Sequence, residues 1–326
     1  IISIFFNLIR PYGNINTIFQ LQHNQYFLDD STNQFDNKES FTVPKLSIDG
    51  KLFIERETEI LNKSFIQSLE PRLFYLLVPN VRQDHIPNFG TAQYETNFQS
   101  ILRSNRFGGL DRVGDANQLA FTLTNRYLDT LTGSERFRLS IGQVIHFRNR
   151  KVSSLNNLKV TDELSEFLFE SSLFLNDDVT IRGALKYDPN EGHLSKSNFS
   201  MRYQPDFDSV INLNFRQRKA LNNRQPDLEQ LDISARLPLK ENIALIGKWN
   251  YSIEQSNSIE TFGGIEYESC CWGAKLVARR FLKDIDGVHD NSVFMQIHFR
   301  GLGGFGRGGS ESFIQSGIPG YVDPFE

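Results

Sequence analysis

The 326 residues predict an all-β chain, about fifteen antiparallel strands of a transmembrane β-barrel, on three observations. Apolar and polar residues alternate with period two along most of the chain, with little competition from helical spacing. Many alternating runs reach about 9–11 residues, the length a tilted strand needs to cross a bilayer. The second face of these runs is charged, carrying Arg126, Arg138, Arg182, Lys186, Arg216, Arg236, Lys248 and Lys275. A soluble two-layer sandwich would also show polar outer faces, so the aromatics add weight. Tyr75, Tyr127, Tyr187, Tyr203, Trp249, Tyr251 and Trp272 stand near run ends, as an interfacial girdle requires.

Composition agrees. A 39% hydrophobic content looks soluble, yet a barrel turns only every second residue to lipid. The mean hydropathy of −0.38 fits the same pattern. Phe is abundant at 28, beside 10 Tyr, and aromatic richness favours strands. A net charge of −4 argues against nucleic acid held by phosphate neutralisation. No run approaches the ~20 apolar residues of a membrane helix. Ile1 to Ile9, IISIFFNLI, is too short and contains Asn7; it also lacks the basic start and cleavage site of a signal peptide. The chain opens in mid-pattern without Met, as expected of a piece whose N-terminal part and any export signal lie outside it.

In chain order, Ile15, Thr17, Phe19 and Leu21 open the series, and a polar turn over 29–40 follows. Leu46 to Ile54 and Leu69 to Leu77 alternate next, then Leu119 to Tyr127 and Phe137 to Ile141. Val179 to Tyr187, Phe199 to Tyr203, Ile211 to Phe215, Leu231 to Leu237 and Ile243 to Ile253 continue the pattern. Weaker runs surround Tyr94 and Phe167, and Val293, Met295, Ile297 and Phe299 mark the last strand. Connections alternate between short ones (176–178, 239–242) and longer polar ones (103–117, 218–229, 283–291), an asymmetry that outer-membrane barrels show. Their spacing varies too much for a solenoid repeat.

Between Glu266 and Leu282 lie the only two cysteines, Cys270 and Cys271, at the junction of two alternating runs, which reads as a hairpin near a sheet rim. Neighbouring Cα atoms are about 3.8 Å apart, while disulfides favour roughly 4.4–6.8 Å, so a bond between the two would be strained. Either each thiol pairs with a cysteine outside this sequence, or both are small apolar fillers.

Catalytic and metal signatures are absent from the sequence. His23, His85, His146, His193, His289 and His298 are scattered, and no HExxH, CxxC or GxSxG occurs. Gly301, Gly303 and Gly306 satisfy GxGxxG, but no βαβ unit follows, and no cofactor is expected. The run FRGLGGFGRGG is expected to end the last strand and release a flexible tail, which divides the chain into a barrel portion, 1–303, and a tail, 304–326. The loop 103–117 mixes Arg103, Arg106 and Arg112 with Asp111 and Asp115. A clamp for anionic head groups is one reading; the favoured one is a self-paired loop in which the two aspartates satisfy two arginines.

Several segments resemble the LPS-assembly outer-membrane protein family LptD, also called OstA or Imp. The likeness runs in order from about Leu69 to Tyr321. It includes SLEPRLFYLLVPNVRQDHIPNFGTAQYETNFQSILRSNRFGGLDRVGDANQLAFTLTNRYLD, GSERFRLSIGQ, ESCCW and SGIPGY. The resemblance implies a barrel of about 26 strands, of which this chain is the C-terminal part. It further implies an N-terminal periplasmic jellyroll outside this chain, fed with lipopolysaccharide by a periplasmic bridge. An LptE-type lipoprotein plug would sit inside the barrel. Cys270 and Cys271 match the family's consecutive cysteines, which bond two cysteines in the N-terminal region. The lipid part of lipopolysaccharide would leave sideways through a lateral gate between first and last strands, the latter bearing Val293, Met295, Ile297 and Phe299. The location implied is the outer membrane of a Gram-negative cell, with its lipids as surroundings. The alternative within the class is a smaller porin or hydrophobic-compound channel, with solute flux and no essential disulfide.

Overall fold

The computed structural model describes residues 1–28, 38–153, 162–220, 227–283, 287–306 and 311–323. The turn expected over 29–40, the loops 218–229 and 283–291 and the glycine run past Gly306 fall partly outside the described residues. Seventeen antiparallel strands are formed among them, and the chain divides into two compact units.

The first unit comprises Ile1–Glu170 and Lys186–His193. Its strands are β1 (Ile2–Arg10), β2 (Gly13–Phe27), β3 (Lys38–Leu52), β4 (Ile54–Ile60), β5 (Lys63–Val78), β6 (Ala116–Asp129) and β7 (Glu135–His146). Pairing runs from Phe5↔Ile18 in β1–β2 to Leu123↔Ile141 in β6–β7. One strand departs from the sequence pattern. The run expected from Leu46 to Ile54 breaks at Phe53, whose amide donates to the Tyr12 carbonyl at 2.8 Å. Both halves then pair β5, β3 through Leu46–Lys51 and β4 through Ile54–Ile60. The two-residue turn into β5 holds Leu61 and Asn62 at positive φ, the geometry that matches strand twist in a tight hairpin.

β8 (Phe167–Phe174) and β9 (Val179–Asp188) contribute residues to each unit. The second unit, Ser171–Leu185 with Leu194–Glu326, continues as β10 (His193–Tyr203), β11 (Val210–Arg218), β12 (Leu228–Lys240) and β13 (Ile243–Ser252). Then come β14 (Asn257–Glu268), β15 (Trp272–Leu282), β16 (His289–Phe299) and β17 (Gly303–Phe305), and helix α1 (Glu311–Gly317) closes the series. Each strand from β10 onward pairs with the next.

Burial is inverted relative to a soluble sheet. Leu73, Ile265, Leu276 and Met295 are at least half exposed, whereas Glu266, Lys275 and Gln296 are almost fully buried. The inversion follows the pleat. In β15, Trp272, Leu276 and Ala278 are exposed while Gly273, Lys275 and Val277 are buried. The alternating Leu, Ile and Phe side chains therefore do not meet across stacked layers; they form an open apolar face. The opposite face is polar and covered. In the first unit it is covered by the segment 79–115, whose Ile86, Ile101 and Val113 join Phe74, Leu76, Ala120 and Val144 in one core. In the second unit the tail does so, with Phe313, Ile314, Ile318 and Tyr321 packed on Val210, Ile246, Phe262 and Val277.

Two sequence expectations need correction, and one strand is added. The run near Tyr94 is not a strand: it makes a single bridge, Gln93↔Phe107, inside the covering segment. The N-terminal IISIFFNLI, ahead of the series that opens at Ile15, forms the added strand, β1. The chain after Arg300 is neither strandless nor a loose tail, since β17 pairs β16 through Ile297↔Phe305, His298↔Gly304 and Phe299↔Gly303, and α1 is docked.

Introducing charge on the open face separates lipid from water as its surroundings. Leu276→Arg, at a half-exposed site, is expected to destabilise the full-length protein by about 2–4 kcal/mol in bilayers. A water-facing site would change by no more than about 0.5 kcal/mol in the same equilibrium unfolding measurement.

Candidate functional site

The long connection between β5 and β6 brings Arg103, Arg106, Asp111, Arg112 and Asp115 onto one ordered lobe, where they find different partners. Arg106 pairs with Asp115 at 3.1 Å and also donates to the carbonyls of Asp115 and Val152. Asp115 is buried and accepts the amides of Lys151 and Val152 at 2.9–3.0 Å. Burial works to raise its pKa; the two amides and the guanidinium outweigh it and hold the carboxyl below its ordinary value. The second expected ion pair does not form. Arg112 is buried and donates to the carbonyls of Gln83 and Ile86, while Asp111 accepts the Phe89 amide and the Thr91 hydroxyl. Arg103 stacks on the Tyr94 ring, 4.4 Å from its centroid. The buried arginines are thus consumed in fixing the lobe's own backbone, which weighs against an anion clamp.

Charged residues on the covered face of the strands make two ladders. In the first unit Lys51 meets Glu70 at 2.7 Å, Glu70 meets Arg126 at 3.3 Å, and Glu135 takes Arg126 at 2.6 Å and Arg138 at 2.9 Å. Arg72 grips Asp49 with two parallel bonds, at 2.6 and 2.7 Å, the fork geometry guanidinium and carboxylate favour. Lys186 reaches Glu95 at 2.6 Å. In the second unit Glu260 holds Lys248 at 2.9 Å and Arg279 at 2.6 Å. Arg236 meets Glu266 at 2.9 Å, and Lys275 meets Glu266 at 3.4 Å and Asp323 at 3.1 Å. Sequence reading identified Arg126, Arg138, Lys186, Arg236, Lys248 and Lys275 as charges on the second face of the alternating runs, but not Lys51, Arg72 or Arg279. It missed Asp323, which the tail brings from 48 positions away.

A further feature without sequence signal is a hollow of about 430 Å³ on the covered face of the first unit, lined by Phe5, Asn7, Asn16, Ile18, Asp49 and Phe74. Their register pairs, Phe5↔Ile18 and Asn7↔Asn16, place them on one side of β1 and β2.

Cys270 and Cys271 occupy the three-residue turn between β14 and β15, with both side chains exposed and their sulfurs 2.8 Å apart. The hairpin expected from sequence is there, beside the turn that follows β16: the Arg300 amide donates to the Cys271 carbonyl at 3.0 Å. A hydrogen bond from the Cys271 thiol, with a second from Ser269, holds Cys270 below the ordinary thiol pKa, and the same contact raises Cys271. The contact couples the two thiols, easing loss of the first proton and opposing loss of the second.

Comparison with known proteins places this geometry in a family. A sequence model described as LptD, LPS transport system D, matches residues 2–243. The chain belongs to the LptD family. The LPS-assembly protein LptD of Nitrosococcus oceani is 35% identical over 319 residues, covering 97% of this chain and 42% of that protein. That of Alkalilimnicola ehrlichii is 36% identical over 318 residues, covering 96% and 42%. The chain thus spans about two fifths of the length of the curated relatives it matches. Among solved structures, the ferric-catecholate import receptor Fiu of E. coli K12 aligns over 92% of this chain and 55% of that chain, with 12% identity and a TM-score of 0.33. LptD is a transport and assembly family, not an enzyme family. An LptD chain with an open apolar face on an all-antiparallel sheet is an outer-membrane β-protein of a Gram-negative bacterium.

The lobe should depend on the Asp115 carboxylate. Its pKa is lower folded than unfolded, so its contribution is complete above the ordinary value of about 3.9 and fades as pH falls through the folded value. Asp115→Asn is expected to loosen residues 103–115 by about 1–3 kcal/mol at neutral pH. Amide exchange of that segment against β6 measures it, with the variant losing the acid dependence.

Proposed function

We propose that the chain is the C-terminal barrel portion of an outer-membrane lipopolysaccharide translocon. Its task is to bring lipopolysaccharide to the outer leaflet, sugar through a wet barrel interior and acyl chains sideways into lipid. The inverted burial carries this reading: an apolar face left open to hydrocarbon, and a charged face turned from it. An amphiphile with a large sugar and several acyl chains needs both environments on one conduit.

The sideways path runs through a gate between the barrel's first strand, which lies outside this chain, and its C-terminal edge. Val293, Met295 and Phe299 of β16 lie exposed on the apolar face beside that edge, with Ile297 in the same row. Parting two strands in lipid strands their amides and carbonyls without water, so a gate needs a short ladder. Each ladder bond adds on the order of 1 kcal/mol net, so a few missing bonds change the opening equilibrium severalfold or more.

Cys270 and Cys271 in this reading form disulfides with cysteines of the N-terminal region. Their exposure at a sheet-end turn makes both accessible to such partners. An LptE-type lipoprotein plugs the barrel, and a periplasmic bridge delivers the lipid to the N-terminal domain.

Two measurements on the full-length protein test the proposal. Replacing each cysteine in turn should remove one linked species on non-reducing electrophoresis; an unchanged pattern would exclude the pairing. Crosslinking Met295 to the first strand should stop lipopolysaccharide reaching the cell surface, and undiminished export would sink the gate.

A further inference from the structure

β16 is held unequally along its two edges. On one, it pairs β15 over its whole length, from Leu282↔His289 to Trp272↔Phe299. On the other, only Ile297, His298 and Phe299 have a strand partner among the described residues, and that partner is β17, the chain doubling back on itself. The reversal depends on glycine. Gly301, Gly303 and Gly306 all take positive φ, and a Cβ at Gly306 would collide with the Met295 carbonyl oxygen.

The segment that follows is anchored on the covered face of the second unit. Phe313 packs edge-on to Phe262, with ring centroids 5.4 Å apart, and against Phe294 of β16 itself at 5.1 Å. Ile314 and Ile318 are fully buried. Asn212 donates to the Pro319 carbonyl at 3.0 Å and Gln204 to the Gly320 carbonyl at 3.3 Å. At the far end, the Lys275 ammonium, with no exposed side-chain surface, donates to the Tyr321 hydroxyl at 2.7 Å and to Asp323 at 3.1 Å. Without Asp323, the fully buried Lys275 would keep only Glu266, which it shares with Arg236, while Arg236 also has the exposed Asp208 at 3.2 Å. Removing one partner from such a buried set is strongly unfavourable.

We propose that the C-terminal tail is an edge guard: anchored by Asp323 on Lys275, it holds β17 against Ile297–Phe299 and so restricts the part of β16 open to another strand to the stretch from His289 to Phe294. The inference rests on the gate reading for its purpose, because a shortened edge is a shortened seam. It also serves the general need to blunt a strand edge that would otherwise recruit any extended chain. The anchor packs on β11 and on β13 to β16 from the covered face, so β16 stays with its own unit when strands part beyond it.

Amide exchange on the full-length protein tests the guard without any lipid export. Asp323→Asn deprives the buried Lys275 of its second carboxylate, and exchange in the peptide covering Ile297–Phe305 is expected to rise about tenfold, with β5 and β6 unchanged. Lys275→Gln combined with Asp323→Asn removes the under-paired ammonium and should return exchange close to the unsubstituted rate. Wild-type exchange in the single variant, a rise that β5 and β6 share, or a double variant as fast as the single one would overturn the proposal. The Met295 crosslink bears only on the gate, so guard and gate fail separately.

Discussion

Backbone amides and carbonyls carried into hydrocarbon find no water, and the architecture follows from that. Each must be bonded inside the protein, which an antiparallel ladder of adjacent strands achieves without help from side chains. Side chains are then sorted by the pleat alone. One row of Leu, Ile and Phe is left open, and the other carries the charges. Leu276 half exposed beside a fully buried Lys275 is the sorting in its most compact form.

Sorting charges onto a covered face creates a second requirement, since each must be balanced where it lies. Within strands the balance comes from register: Glu70, Arg126 and Glu135 meet because β5, β6 and β7 are aligned. In the second unit a segment outside the strands adds counter-charge, Asp323 of the tail meeting Lys275 of β15. In the first unit Asp115 instead serves the covering lobe, pairing Arg106 of the same segment. Both are buried carboxylates, and each ties a non-strand segment down by ionic and hydrogen bonds. The LptD chain is therefore a sheet whose polar face is finished by two irregular segments.

The sheet was largely legible from sequence because period two is a local signal. Strands such as β6, with Leu119, Phe121 and Leu123 opposite Ala120, Thr122 and Thr124, announce themselves. β1 did not, since Phe5 and Ile9 make its second face apolar as well. Nor did β4, where Glu55, Glu57 and Glu59 share a row with no apolar residue. The docked tail was hidden by its glycines, which permit a reversal as readily as a loose end. The partners of Arg112 were out of reach for another reason: they are backbone carbonyls, and backbone groups have no signature in a sequence. Most basic members of the ladders could be named in advance, though not Lys51, Arg72 or Arg279, and their acids only through register. Function came from the motifs around Leu69–Asp129 and Cys270–Cys271, not from chemistry at any one residue.

An accessibility scan along β15, in the full-length protein reconstituted in bilayers, bears most directly on the lipid-facing assignment. A nitroxide side chain placed in turn at residues 274 to 279 would report oxygen dissolved in lipid against a water-soluble relaxant. An open face in contact with hydrocarbon predicts oxygen maxima at Ala274, Leu276 and Ala278, with minima at Lys275, Val277 and Arg279. Equal exposure of Leu276 and Val277 to the aqueous relaxant, or the reverse phase, would contradict it.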